Sequence, residues 1–145
     1  MRSIILSVAA STALLIATGA AAAGDLGYPA RELLVTEADV LGQPVAYPAG
    51  IPRITSAIVT IEPGGEGQLH SHQVPMYAYV LQGAVTVNYG SHGTKVYNTG
   101  EALMEAQHVP HKGMNKGTEP VALLVVYMGA QGVPNATPVS DYSAK

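Results

Sequence analysis

All five histidines fall between positions 70 and 111, and two of them, His70 and His72, are separated by a single residue. In a β-strand, residues i and i+2 project from the same face, about 6.5–7 Å apart along the chain, so this pair presents two imidazoles side by side. Each can reach a common ion at roughly 2.0–2.1 Å. Metal binding is therefore the chemistry on offer. A pair alone does not complete it, because protein metal sites take three or four ligands, and two histidines on a strand are otherwise simply solvated. The chain has no Cys, so any further ligand must be another His or a carboxylate.

The elements that would position such a pair read as strands. From Arg53 onward, β-branched and aromatic runs recur at 54–61, 76–81, 85–89, 95–97, 102–105 and 121–128. Turn signals separate them: Pro63-Gly64-Gly65, Gln82-Gly83, Gly90-Ser91-His92-Gly93, Asn98-Thr99-Gly100 and Asn115-Lys116-Gly117. Short strands at this spacing predict an all-β antiparallel sandwich or barrel. Val85 and Val87 alternate with Thr86 and Asn88, as a half-buried strand requires. The run 121–128 is apolar throughout, and Pro120 before it and Gly129 after it favour a strand covered on both faces over a buried helix. Pro29, Pro44, Pro48 and Pro52 exclude a long helix in residues 24–52. That span reads as an extended arm with one short strand at Leu33-Leu34-Val35. Residues 130–145, with Pro134 and Pro138, read as a loose tail.

The chain has 145 residues and a net charge of −3, which suits one domain and supplies no basic footprint for nucleic acid. Sixteen of residues 1–23 are hydrophobic, a denser share than the 48% of the whole chain. There Arg2 precedes an apolar run from Ile4 to Ile16, and small residues follow, with Ala21 and Ala23 satisfying an A-x-A cleavage pattern. This layout predicts a secretory signal peptide removed after Ala23, rather than a membrane anchor, and a periplasmic or secreted destination. Without Cys to form a disulfide there, stability has to come from core packing, a bound metal or oligomerisation.

Two stretches resemble the motifs of the cupin superfamily. Gly64-x5-His70-x-His72-x3-Met76-x6-Gly83 follows the first motif, G-x5-HxH-x3,4-E-x6-G, and Tyr79-Val80-Leu81-Gln82-Gly83 resembles its strand and turn. Gly100-x5-Ala106-x-His108-x2-His111-x3-Asn115 follows the second, G-x5-P-x-G-x2-H-x3-N. The resemblance spans roughly residues 53–129 and implies a small jelly-roll β-barrel, or double-stranded β-helix. It also implies that His70, His72 and His111 are metal ligands. Three departures stand out. Met76 occupies the position of the family's metal-binding Glu, and Ala106 and His108 replace the second motif's Pro and Gly.

Glu105 is the candidate to take over the role of the carboxylate absent at Met76. Strand alternation puts Leu103 and Glu105 on one face, at a position where cupins carry an apolar residue facing the barrel interior. A carboxylate there is costly to bury unless paired or metal-bound, so Glu105 is read as a fourth ligand or a general base; a one-residue register slip would instead make it a solvated surface charge. Met76, Leu103 and His108 are expected to line the substrate pocket. Tyr77 and Tyr79 are expected to pack outward or at a dimer contact, His92 to be exposed, and Asn115 to form a turn. The resemblance implies one divalent metal ion (Fe, Mn, Zn, Ni or Cu), a small-molecule ligand and a possible homodimer. The activity it favours is a metal-dependent oxidoreductase or dioxygenase, with a non-catalytic sensor or carrier as the alternative.

Overall fold

The computed structural model describes residue 27 and residues 29–143; the leader expected at residues 1–23 lies outside the described residues. The chain divides into two compact units after Glu32, and every strand falls in the second, Leu33–Lys145. Its strands are β1 (Pro52–Ile61), β2 (His70–His72), β3 (Met76–Gln82), β4 (Ala84–Asn88), β5 (Thr94–Asn98), β6 (Ala102–Met104), β7 (Lys112–Met114), β8 (Val121–Ala130) and β9 (Ala136–Pro138). All paired strands run antiparallel. No described helix is long and apolar enough to cross a membrane.

One wall is a four-stranded sheet in the order β1-β8-β3-β6. Its long members alternate as β-branched strands should, sending Val59, Met76, Ala78, Leu103, Leu123 and Tyr127 inward to line a cavity. The opposite wall combines the sheet β5-β4-β7 with the pair β2-β9. These two are stitched together by bridges between Glu66 and Met114 and between His70 and His111. The result is a two-walled all-β jelly roll, as expected. Val80, Val85, Val87, Tyr89, Ala106 and Val121 close one part of the core, and Met76, Ala78, Leu103 and Val125 close another.

The turn after β3 depends on Gly83. Its φ is +76°, and a Cβ there would sit 2.9 Å from the Pro120 carbonyl oxygen, so both sterics and backbone conformation demand glycine. Asn115 is the expected turn former and does more. Its Oδ1 accepts from the Gly117 N–H, while its Nδ2 donates to the carbonyls of Ile61 and Glu119, tying the end of β1 to the loop before β8.

Two expectations are corrected. Leu33, Leu34 and Val35 form no strand and are exposed, and no strand among the described residues pairs with them. The chain instead tightens just beyond them. Asp39 Oδ1 accepts from the N–H groups of Leu41 and Gln43, and its Oδ2 accepts from Gln107 N–H, which lays Val40 and Leu41 on the core. The second correction concerns the tail. Residues 136–138 are strand β9, paired with β2 in the register His70↔Pro138, Ser71↔Thr137 and His72↔Ala136. Pro138 is tolerated because it sits at the end of an edge strand.

Candidate metal centre

The three motif histidines converge through backbone pairing. His70 and His111 are directly opposed across an antiparallel bridge and exchange both hydrogen bonds, His70 N–H to the His111 carbonyl at 3.1 Å and the reverse at 2.8 Å. Opposed residues project from the same face, so the two rings stand together. His72 joins them by the i+2 rule. Its carbonyl accepts from His108 N–H, and β9 holds its other edge. The ring centroids form a near-equilateral triangle of 4.9, 4.7 and 4.9 Å.

Each ring is oriented by a backbone carbonyl. Nδ1 of His70 faces the Gln68 oxygen at 2.8 Å, that of His72 the Asn135 oxygen at 3.1 Å, and that of His111 the Val109 oxygen at 2.8 Å. A carbonyl only accepts, so each Nδ1 is the protonated nitrogen and each Nε2 lone pair is free. One ligand atom from each ring lies within 4.8 Å of the others, an arrangement that could hold a metal ion. Nε2 of His72 is buried without a partner. An orphaned acceptor aimed at two others is costly unless a cation satisfies it.

Burial favours the neutral form of His72 and His70, the form a metal needs. His72 is 2% exposed. Desolvation is the largest cause pulling its pKa from 6.5 down to about 3, and the positive charges that His111 and His70 would carry add to the effect. His70 is lowered by desolvation too, against the opposing hydrogen bond to Gln68.

Glu105 lies inside the barrel and not on the surface: it is 5% exposed and lines the cavity with Leu103. Its Oε1 accepts from Tyr89 O–H at 2.6 Å and from Ala106 N–H at 2.8 Å. Its Oε2 stands 4.0 Å from Nε2 of His111. Two atoms that each bind one ion at about 2.1 Å are at most about 4.2 Å apart, so Oε2 is within sharing distance of that ligand. Tyr97 O–H contacts the Tyr89 oxygen at 3.2 Å, completing a chain Tyr97–Tyr89–Glu105. Burial raises the pKa of both tyrosines, that of Tyr97 to about 12.

Met76 and Leu103 line the cavity. His108 does not: it is exposed and outside the lining. It stands where the second motif has Gly and keeps a glycine-like backbone, φ 63°, and this turn carries its side chain out of the barrel. The sequence reading also passed over Tyr89, Tyr127 and the Asn135 carbonyl. Tyr89 followed a strand as an ordinary aromatic, and a backbone acceptor on a distant strand leaves no mark in residue type.

Comparison with known proteins agrees with this architecture. Residues 57–127 match the Cupin domain family. A Lactobacillus farciminis oxalate decarboxylase, solved as a formate complex, is similar at 28% identity and a TM-score of 0.51, over 59% of this chain and 26% of that one. A Bacillus subtilis oxalate decarboxylase variant matches at 26% identity and a TM-score of 0.50, over 59% and 24%. A structure reported for the DMSP lyases RdDddP and RnDddQII shares the fold at 17% identity and a TM-score of 0.52, over 60% and 44%. This chain thus spans about a quarter of the oxalate decarboxylases it matches. No curated protein matches it. With both motifs, the jelly-roll walls and the family match in agreement, the chain belongs to the cupin superfamily.

Proposed function

We propose that this protein is an exported, metal-dependent cupin that binds a small organic molecule at a three-histidine centre and catalyses its oxidation with dioxygen. The observation that carries the reading is the commitment of all three Nδ1 atoms to backbone carbonyls, which leaves three Nε2 acceptors close together, that of His72 buried without a partner among the described residues. His70, His72 and His111 would hold one divalent ion, Fe, Mn, Zn, Ni or Cu. Such an ion, when bound, supplies Lewis acidity and open coordination positions.

The chain's own groups do the rest. Glu105 presents Oε2 to the centre as a fourth ligand or as the acceptor of a substrate proton, while Tyr89 and the Ala106 N–H fix Oε1. Met76 and Leu103 shape an apolar wall and exclude water. Similarity to an oxalate decarboxylase supports a small organic substrate. The layout of residues 1–23 supports export to the periplasm or medium. A homodimer is supported by the outer face of the four-stranded sheet, where Ile54 and Ile58 are 64% and 58% exposed beside Met128 and Leu124.

The alternative is a non-catalytic sensor or carrier, favoured by Met76 standing where the family has a ligand carboxylate. Oxygen consumption by metal-loaded protein with diols, phenols and β-diketones separates the two. Turnover supports the enzyme; tight binding without turnover supports the carrier.

A further inference from the structure

The cavity beside the three histidines has a volume of about 380 Å³, at the small end for ligand sites. Its walls are aliphatic and aromatic, formed by Val59, Val85, Leu103, Leu123 and Tyr127. Its charged lining has one sign only. Glu62 and Glu66 are exposed members of the lining, and Glu105 is a buried one; among the described lining residues there is no Lys or Arg. Lys112 lies outside the lining, and its ammonium is engaged with Glu66 at 2.8 Å.

From this we infer that the site selects an uncharged molecule with an apolar body and rejects small anions. The inference rests on the reading of this cavity as the substrate site. An anion entering it would shed its hydration shell against aliphatic walls with no cationic side chain to replace it. It would also pass the exposed carboxylate of Glu62, where like charges repel. A divalent ion on the histidines offers one cationic point, so a monodentate anionic end could be met there. The second charge of a dianion such as oxalate would still lie against Leu, Val and Tyr side chains. A neutral molecule faces neither cost and gains from burying its apolar surface.

The test uses two probes of matched shape, 4-ethylphenol and 4-ethylbenzoate, titrated into the metal-free chain at pH 8 and followed by calorimetry and by methyl NMR shifts. The phenol is expected to bind with shifts on cavity valines and leucines, and the benzoate to bind at least roughly tenfold more weakly. Leu123→Trp fills the cavity and should abolish phenol binding; Ala78→Leu, a smaller change, gives the same reading if the first variant does not fold. Glu62→Lys should narrow the gap between the probes. Equal or tighter binding of the benzoate, no binding of either probe, or phenol binding unmoved by both cavity-filling variants overturns the inference. Because no metal is present, this outcome is separate from whether the three histidines bind one.

Discussion

Tyr89 donates a 2.6 Å hydrogen bond to Oε1 of Glu105, and with the Ala106 N–H it leaves Oε2 as the only carboxylate oxygen turned toward His111. A carboxylate just beyond β6 thus stands beside the histidines, whereas Met76 occupies the first motif's acidic position. A hydrogen bond to a charged group contributes about 1.5–3 kcal/mol, and a partner that orients a ligand typically changes metal affinity by about 10–100-fold. Tyr89→Phe removes the bond and keeps the ring. It is expected to weaken Mn(II) binding about tenfold in calorimetry while far-UV circular dichroism stays unchanged. Unaltered affinity would reduce Tyr89 to a packing residue.

Glu105→Gln keeps the shape and removes the charge. Metal affinity should fall if Oε2 is a ligand; if it is a base, affinity holds while turnover falls and its pH profile flattens on the acidic side. A variant matching the parent in affinity, turnover and pH profile would return Glu105 to a structural role.

Acid sensitivity follows from His72. Its pKa is near 6.5 in the unfolded chain and about 3 in the fold, so between these values the unfolded state binds more protons. Stability of the metal-free protein therefore rises with pH across that window. The contribution of His72 is fully present above about 6.5 and is lost progressively as pH falls toward 3, by several kcal/mol. His70 acts in the same direction. Urea midpoints at pH 7.5, 5.5 and 4.5 should fall in that order, and His72→Gln should flatten the trend. A midpoint independent of pH would contradict the buried, neutral assignment.

His108 carries a left-handed backbone without being glycine, a conformation that costs about 1–2 kcal/mol for an L-residue. Its side chain is exposed and outside the cavity, so His108→Gly should raise stability by up to about 1 kcal/mol and leave metal affinity unchanged. Loss of metal on this substitution would place His108 in the site after all.

The dimer reading predicts that Ile58→Glu, on the exposed face of β1, shifts the protein to monomer in size-exclusion chromatography with light scattering. Removing residues 24–52 then tests whether the arm contributes. A parent that is already monomeric excludes this interface.

The sequence carried most of the barrel, because strands β1, β3, β4, β5 and β8 are long or contain β-branched residues and most are bounded by turn signals. It carried the convergence of His70, His72 and His111 through motif spacing. What it did not carry are features that depend on pairing partners distant in the chain. β9 is three residues ending in Pro138, recognisable as a strand only because β2 offers it an edge. The Asn135 carbonyl orients His72 from 63 positions away. Tyr89 becomes an anchor for Glu105 only once β4 and β6 face one cavity.

The central claim is that His70, His72 and His111 form one metal centre. Elemental analysis of protein expressed from the full chain and purified without chelators tests it directly. The account predicts close to one equivalent of a single transition metal per chain, falling sharply in His72→Ala. A well-folded parent with no metal, or one whose content is unchanged by His72→Ala, would contradict it.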